Sequence, residues 1–171
     1  MAATVVLSES NTSAQTVTDS ITRGDWLSAD SVGTSDKRTT YPIAKPPSGY
    51  TYAFEKWHRC KVTAMGGSTQ IDTIRHYISD GAPGGGWTIQ TSASTGTPSN
   101  KTYDTTNGPE NPAFTECSNA MPTSDPAAAN ISGTLTSAPS YSGYVVTQAR
   151  VDNTATAGFS KTVTWKYAEV A

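Results

Sequence analysis

The run Tyr50-Thr51-Tyr52-Ala53-Phe54-Glu55-Lys56-Trp57-His58-Arg59-Cys60-Lys61-Val62-Thr63-Ala64 decides the fold class. Along it Tyr50, Tyr52 and Phe54 alternate with Thr51, Ala53 and Glu55, and His58, Cys60, Val62 and Ala64 alternate with Trp57, Arg59, Lys61 and Thr63. Side chains of a strand point to opposite faces in turn, whereas those of a helix return to one face every three to four residues. A period of two held this long predicts one long strand, or two strands broken near Glu55-Lys56, closed by Gly66-Gly67-Ser68.

Downstream, Ile71, Ile74 and Ile78 also suit a helix, but the β-branched content and the Asp80-Gly81 stop favour a strand. Ala82 to Gly86 is a turn cluster, and Trp87 to Thr91 a short strand. Residues 92–130 form a long polar stretch punctuated by Gly and Pro, of a kind that is functional or covers a neighbour. A strand is expected at Gly133 to Thr136, and clearer ones at Tyr144 to Val151 and Lys161 to Val170, joined by the turn-rich Asp152 to Gly158. This spacing suggests a single β-sandwich of jelly-roll type over residues 49–171, with Phe54, Trp57, Val146, Trp165 and Tyr167 among its most buried side chains.

Upstream, residues 1–48 read differently. After a short strand at Thr4 to Leu7 the apolar residues are sparse and keep no period, and Pro42, Pro46 and Pro47 favour an extended connector. The segment reads as an extended N-terminal arm with a stiff connector that becomes ordered against another subunit; the alternative is an ordinary strand pair of the same sandwich.

Composition agrees with an all-β fold. The 171 residues include 20 Ser and 28 Thr but only three Leu, so pleated-surface residues outweigh strong helix formers. Four Trp, eight Tyr and three Phe supply enough apolar area to exclude a disordered chain. The net charge of −2 with scattered Lys and Arg argues against an electrostatic nucleic-acid binder. No apolar run reaches the roughly eighteen residues of a membrane helix, and MAATVVLSES does not read as a secretory leader.

Motifs that carry chemistry are scarce. The sequence has no G-x-S-x-G elbow, and Gly84-Gly85-Gly86 is followed by Trp87 instead of the Lys-Ser or Lys-Thr of a phosphate loop. His58 shares a strand face with Cys60 and Val62, which suits a core or subunit-contact residue, and His76 has no Asp or Cys at ligand spacing. The carboxylates Asp72, Asp80, Asp104, Glu110, Glu116 and Asp125 leave a glycosidase pair open by residue type, since sequence spacing does not give their separation, and Asp104 to Glu110 reads as a turn, with Asn107-Gly108 supplying positive φ. We therefore expect no catalytic residues, cofactor or metal. Cys60 and Cys117 are expected to be free, buried thiols, with a single disulfide as the alternative. Trp26, Tyr41 and Trp87 are candidates for a sugar-stacking platform or, preferably, for the core or a subunit contact, together with Trp57, His58, Trp165 and Tyr167.

One order of residues carries a resemblance. Tyr41-Pro42-Ile43, Pro47-Ser48-Gly49 and Phe54 to Arg59 are followed by Gly67-Ser68, Ile71 to Tyr77 and Asp80-Gly81. The order continues with Met121-Pro122, Ser142 to Gln148, Ala157-Gly158 and Trp165 to Val170. Over residues 41–171 this resembles a loosely defined set of small structural proteins of tailed bacteriophage particles. The resemblance implies a virion component, not an enzyme: a head decoration or cement subunit, or part of the neck or tail. Its expected partners are other virion proteins, such as capsid or connector subunits, and further copies of itself, as a trimer before a dimer. A receptor- or carbohydrate-binding module, using Trp87 and the 92–130 loop, is the second expectation.

Overall fold

The alternating stretch folds as β3 (Tyr50–Tyr52) and β4 (Lys56–Ala64) in a computed structural model that describes residues 1–94, 96–156 and 159–171. Both halves lie antiparallel on one neighbour, β9 (Val145–Asp152). Tyr52 pairs with Arg150 and Lys56 with Thr147, so the three residues Ala53–Glu55 oppose the two residues Gln148–Ala149. The run is thus one line of chain interrupted by a bulge.

The remaining elements are β1 (Thr4–Asn11), β2 (Thr16–Thr18), α1 (Ser35–Thr40), β5 (Gln70–Ile78), β6 (Trp87–Thr91), β7 (Asn119–Ala120), β8 (Ser140–Tyr141) and β10 (Val163–Val170). The larger sheet runs β2-β1-β4-β9-β6-β7, with β3 on β9 and β8 on β4, and all its strand pairs are antiparallel. A second sheet contains β10 and β5 alone. The all-β class is established, with α1 the one helix among the described residues. Gly133 to Thr136 contributes only a bridge between Leu135 and Ile71, not a strand. The Ala157-Gly158 part of the last connection lies outside the described residues.

A bulge explains the ambiguity of Ile71, Ile74 and Ile78. Opposite Tyr167 of β10 stand two β5 residues, Thr73 and Ile74, and Thr73 has φ +51°, a left-handed conformation unusual for a β-branched residue. The extra residue shifts the alternation by one. Ile71 before it and Ile74, His76 and Ile78 after it are all fully buried.

Both faces of the central strands are covered. Cys60 and Val62 of β4 and Val145 of β9 pack with Ile71 and Ile74 of the second sheet. On the opposite face Trp57 and Val146 pack with Tyr103, Cys117 and Tyr144, so the long polar stretch covers its own sheet. Trp57 and Val146 are fully buried as expected, but Phe54 and Trp165 are half-buried and Tyr167 is 37% exposed. Trp165 and Tyr167 lie on β10, an end strand of the two-stranded sheet, and among the described residues no strand pairs with its outer edge.

The expectation of an arm held away from the domain needs correction. β1 pairs with β4 from Thr4 to Ser10, and Leu27 is 1% exposed. Gly66, at φ +61°, makes the turn after β4; an added Cβ there would lie 2.3 Å from the Met1 carbonyl oxygen, while Gly67 N–H donates to that oxygen at 2.6 Å.

Candidate functional site

A two-stranded sheet cannot cover the whole inner face of the larger one. Beyond the edge of β10, that face is roofed by the irregular segment 21–27, by Arg38 of α1 with Tyr41 to Ile43 after it, and by residues 159–163 leading into β10. Irregular chain fills such a space less completely than a third strand would, and a cleft of about 710 Å³ remains. That is within the range of small-molecule sites.

The walls of the cleft are aromatic. Phe159 lies between two indoles, 6.1 Å from Trp26 at an interplanar angle of 15° and 4.7 Å from Trp87 at 27°. Trp165 closes another side, tilted against His76 with ring centroids 5.4 Å apart and edge-on to His58 at 6.4 Å. Trp26 Nε1 donates to Thr147 Oγ1 at 3.3 Å. Trp87 Nε1 and His76 Nδ1 are buried and have no hydrogen-bond partner in the described chain. His76 Nε2 lies 3.2 Å from Thr91 Oγ1, and burial pulls the imidazole down to about 4, so the ring is neutral near pH 7.

At the rim, Asp25 faces two arginines, with Arg23 Nε at 3.4 Å from one carboxylate oxygen and Arg38 Nε at 3.8 Å from the other. Lys161 also lines the cleft and is 3.8 Å from Asp80.

Beneath the rim is a buried ionic cluster. Glu9 on β1 stands opposite His58 on β4, with Oε2 3.1 Å from His58 Nε2 and Oε1 2.9 Å from Lys56 Nζ. The Glu9 and Lys56 side chains have no exposed area. Burial pushes the Glu9 carboxyl up, but the hydrogen bond and charge of His58, with Lys56, outweigh it and hold Glu9 below its ordinary value. Gly24 passes so close to the imidazole that an added Cβ would lie 3.0 Å from His58 Cε1, which leaves room for no larger residue without a shift.

Five of the sequence candidates, Trp26, Tyr41, His58, Trp87 and Trp165, line this one cleft. Trp57 does not; it packs on the far face of the sheet. Tyr167 lines a separate shallow slot of about 200 Å³ with Val5, Val6, Leu7, Cys60 and Trp165. Among the described residues of the 92–130 stretch only Met121 lines the cleft with Trp87. No family model, curated protein or solved structure matches this chain. Sequence reasoning missed Phe159, Arg23, Arg38 and Glu9. A charged residue inside the strand pattern of β1 was the available signal for Glu9; Arg23 and Phe159 are brought in by irregular segments that carry no period, and Arg38 by the six-residue α1.

The other expected features have definite places. Cys60 and Cys117 are free and buried, in clusters on opposite faces of the sheet, and burial raises both thiols, Cys60 to about 12. Asp104 caps its own turn, accepting from Thr106 N–H at 2.7 Å, and Gly108 has φ +66°. Glu55, in the bulge, accepts from Trp57 Nε1 and from Glu116 N–H, each at 3.2 Å; burial, with Glu110 and Glu116 nearby, raises it to about 7.

Proposed function

We propose that this chain is a structural protein of a tailed-bacteriophage particle, most simply a head decoration, cement or neck component that stabilises the particle through subunit contacts. The fold in this reading is a jelly-roll-like β-sandwich, located in the virion and assembled as a homo-oligomer, a trimer before a dimer. It has no enzymatic role and no cofactor, and it engages capsid or connector subunits, not nucleic acid or membrane.

The observation that carries the reading is the open edge of β10. Among the described residues nothing pairs with its outer side, although it is eight residues long. Exposed Tyr167 and Val170 mark that strand, and the apolar slot between it and β1 lies alongside. Long uncovered edges offer main-chain hydrogen bonds to another chain, and proteins usually shorten or cover them. Of the other terminal strands, β2 and β7 have three and two residues, and the nine-residue β5 has its outer side met by Leu135, Asn130 and Ile131. The resemblance over residues 41–171 supports the same reading.

Mass photometry of the chain and a binding assay on purified particles test it. Assembly or particle binding that is lost in Tyr167→Lys/Val170→Lys, with an unchanged melting temperature, is the expected result. A monomer that ignores particles would refute it. The second reading, a receptor- or carbohydrate-binding module, is favoured by a separate observation: Trp26, Tyr41 and Trp87 meet in one cleft.

A further inference from the structure

We propose that the cleft under residues 21–43 is a binding site for an acidic saccharide, a sugar chain bearing carboxylates. The inference rests on the binding-module reading of the cleft and is independent of the particle-assembly reading.

Three features converge on that chemistry. First, half-buried Trp26, Trp87 and Trp165 line the space and offer indole surface to the C–H-rich face of a pyranose ring. Second, of the six buried side-chain polar atoms without a hydrogen-bond partner among the described residues, three belong to residues that line this cleft: Asp25 Oδ2, which faces Arg23, and the uncharged Trp87 Nε1 and His76 Nδ1. Most buried polar groups are satisfied, so the two uncharged orphans on one cleft point to an occupant that supplies their hydrogen bonds. Trp87 Nε1–H can only donate, whereas the free nitrogen of a neutral imidazole accepts or donates according to its tautomer. A hydroxyl meets both needs, and a saccharide presents hydroxyls in close array. Trp26, by contrast, already has Thr147.

Third, the rim selects charge. Arg23 and Arg38 share the single carboxylate of Asp25 at 3.4 and 3.8 Å, while Lys161, which also lines the cleft, has Asp80 at 3.8 Å to balance it. Two guanidiniums held by one acid leave an excess positive charge, and the planar fork of arginine suits a carboxylate. A neutral sugar would leave that excess unused.

Isothermal titration of the full chain tests the assignment, with an oligogalacturonate tetrasaccharide, a neutral maltotetraose and an oligoglutamate peptide as probes. The expected result is binding of the oligogalacturonate alone, weakened by added salt. Arg38→Glu, on an exposed side chain, should weaken it about tenfold or more without changing the melting temperature. Trp87→Phe keeps the ring but removes the N–H, and should weaken it by a comparable factor. If Trp87→Phe unfolds the chain, Arg38→Glu alone decides. Equal binding of maltotetraose would overturn the acidic class while leaving the cleft a sugar site. Binding of the peptide as tightly as the saccharide would overturn the saccharide. No binding of any probe at millimolar concentration would overturn the binding-module reading itself.

Discussion

Replacing Glu9 by Gln should cost this protein a large part of its stability. Among the described residues the carboxylate is the only anion in contact with Lys56 Nζ, at 2.9 Å, and it also meets His58 at 3.1 Å. Lys56 has no exposed side-chain area and otherwise donates only to the Ser31 carbonyl. Glutamine keeps the shape and one acceptor but strands a buried ammonium. Removing one partner of a buried pair costs about 3–5 kcal/mol, against a total stability of about 5–15 kcal/mol. For a domain of this size that is a fall in melting temperature of roughly 6–20 °C. Urea titration followed by tryptophan fluorescence at pH 7 measures it. Adding Lys56→Met to the Glu9→Gln chain should restore roughly half of the loss or more, because the stranded charge is then gone. Acid provides a further check. Glu9 has its carboxyl held below the ordinary 4.5, so its contribution is complete above that pH and disappears as the pH falls through the folded value. The wild-type and Glu9→Gln stabilities should therefore converge in acid. A loss below about 1 kcal/mol at pH 7, the size of a surface ion pair, would mean that β1 does not seat its carboxylate against β4.

Other outcomes follow from the same structure. Glu55 is fully buried with its carboxyl raised from 4.5 to about 7, so stability tied to its protonated form is complete below pH 4.5 and lost as the pH rises through 7. Denaturation measured between pH 5 and 8.5 should show a decline of about 3 kcal/mol at most, and Glu55→Gln should flatten it. Val146→Asp puts a carboxylate among Trp57, Tyr103 and Tyr144 and should lower stability by several kcal/mol, about 3–5, read as a large drop in melting temperature. Cys60 and Cys117 should react with a thiol reagent only after denaturation, since both are buried with raised pKa values. Deleting residues 2–12 should give a chain without a cooperative transition in circular dichroism, because it removes the long antiparallel partner of β4 and strands Lys56 without Glu9.

The strand content was legible because alternation is a local signal: β4, β6, β9 and β10 could be read within one or two residues of their ends. Thr73 shows where such reading fails. A single residue at positive φ resets the phase, and Ile71, Ile74 and Ile78 then imitate a helix. The status of residues 1–48 was not legible for a different reason. Glu9 is a buried residue only because Lys56 and His58 are there to meet it, and that pairing spans 47 and 49 positions. The cleft was half legible. Aromatic residues announce themselves by type, so Trp26, Tyr41 and Trp87 were found, whereas Arg23 and Arg38 matter only through where an irregular segment and the short α1 set them over the sheet.

The place of β9 also governs how the chain acquires its structure. Its eight residues pair with β3, β4 and β6, all of which precede it by more than fifty positions. A nascent chain therefore carries three strands of the main sheet with their central partner still unmade, and can complete the sheet only once residues 145–152 have left the ribosome. Closing such long loops before any contact repays the lost entropy makes folding slow, and it leaves strand edges open to neighbouring nascent chains in the meantime. Slower translation over residues 92–144 would prolong that exposed interval, so the yield of soluble protein should depend on codon choice in that stretch more than in any other.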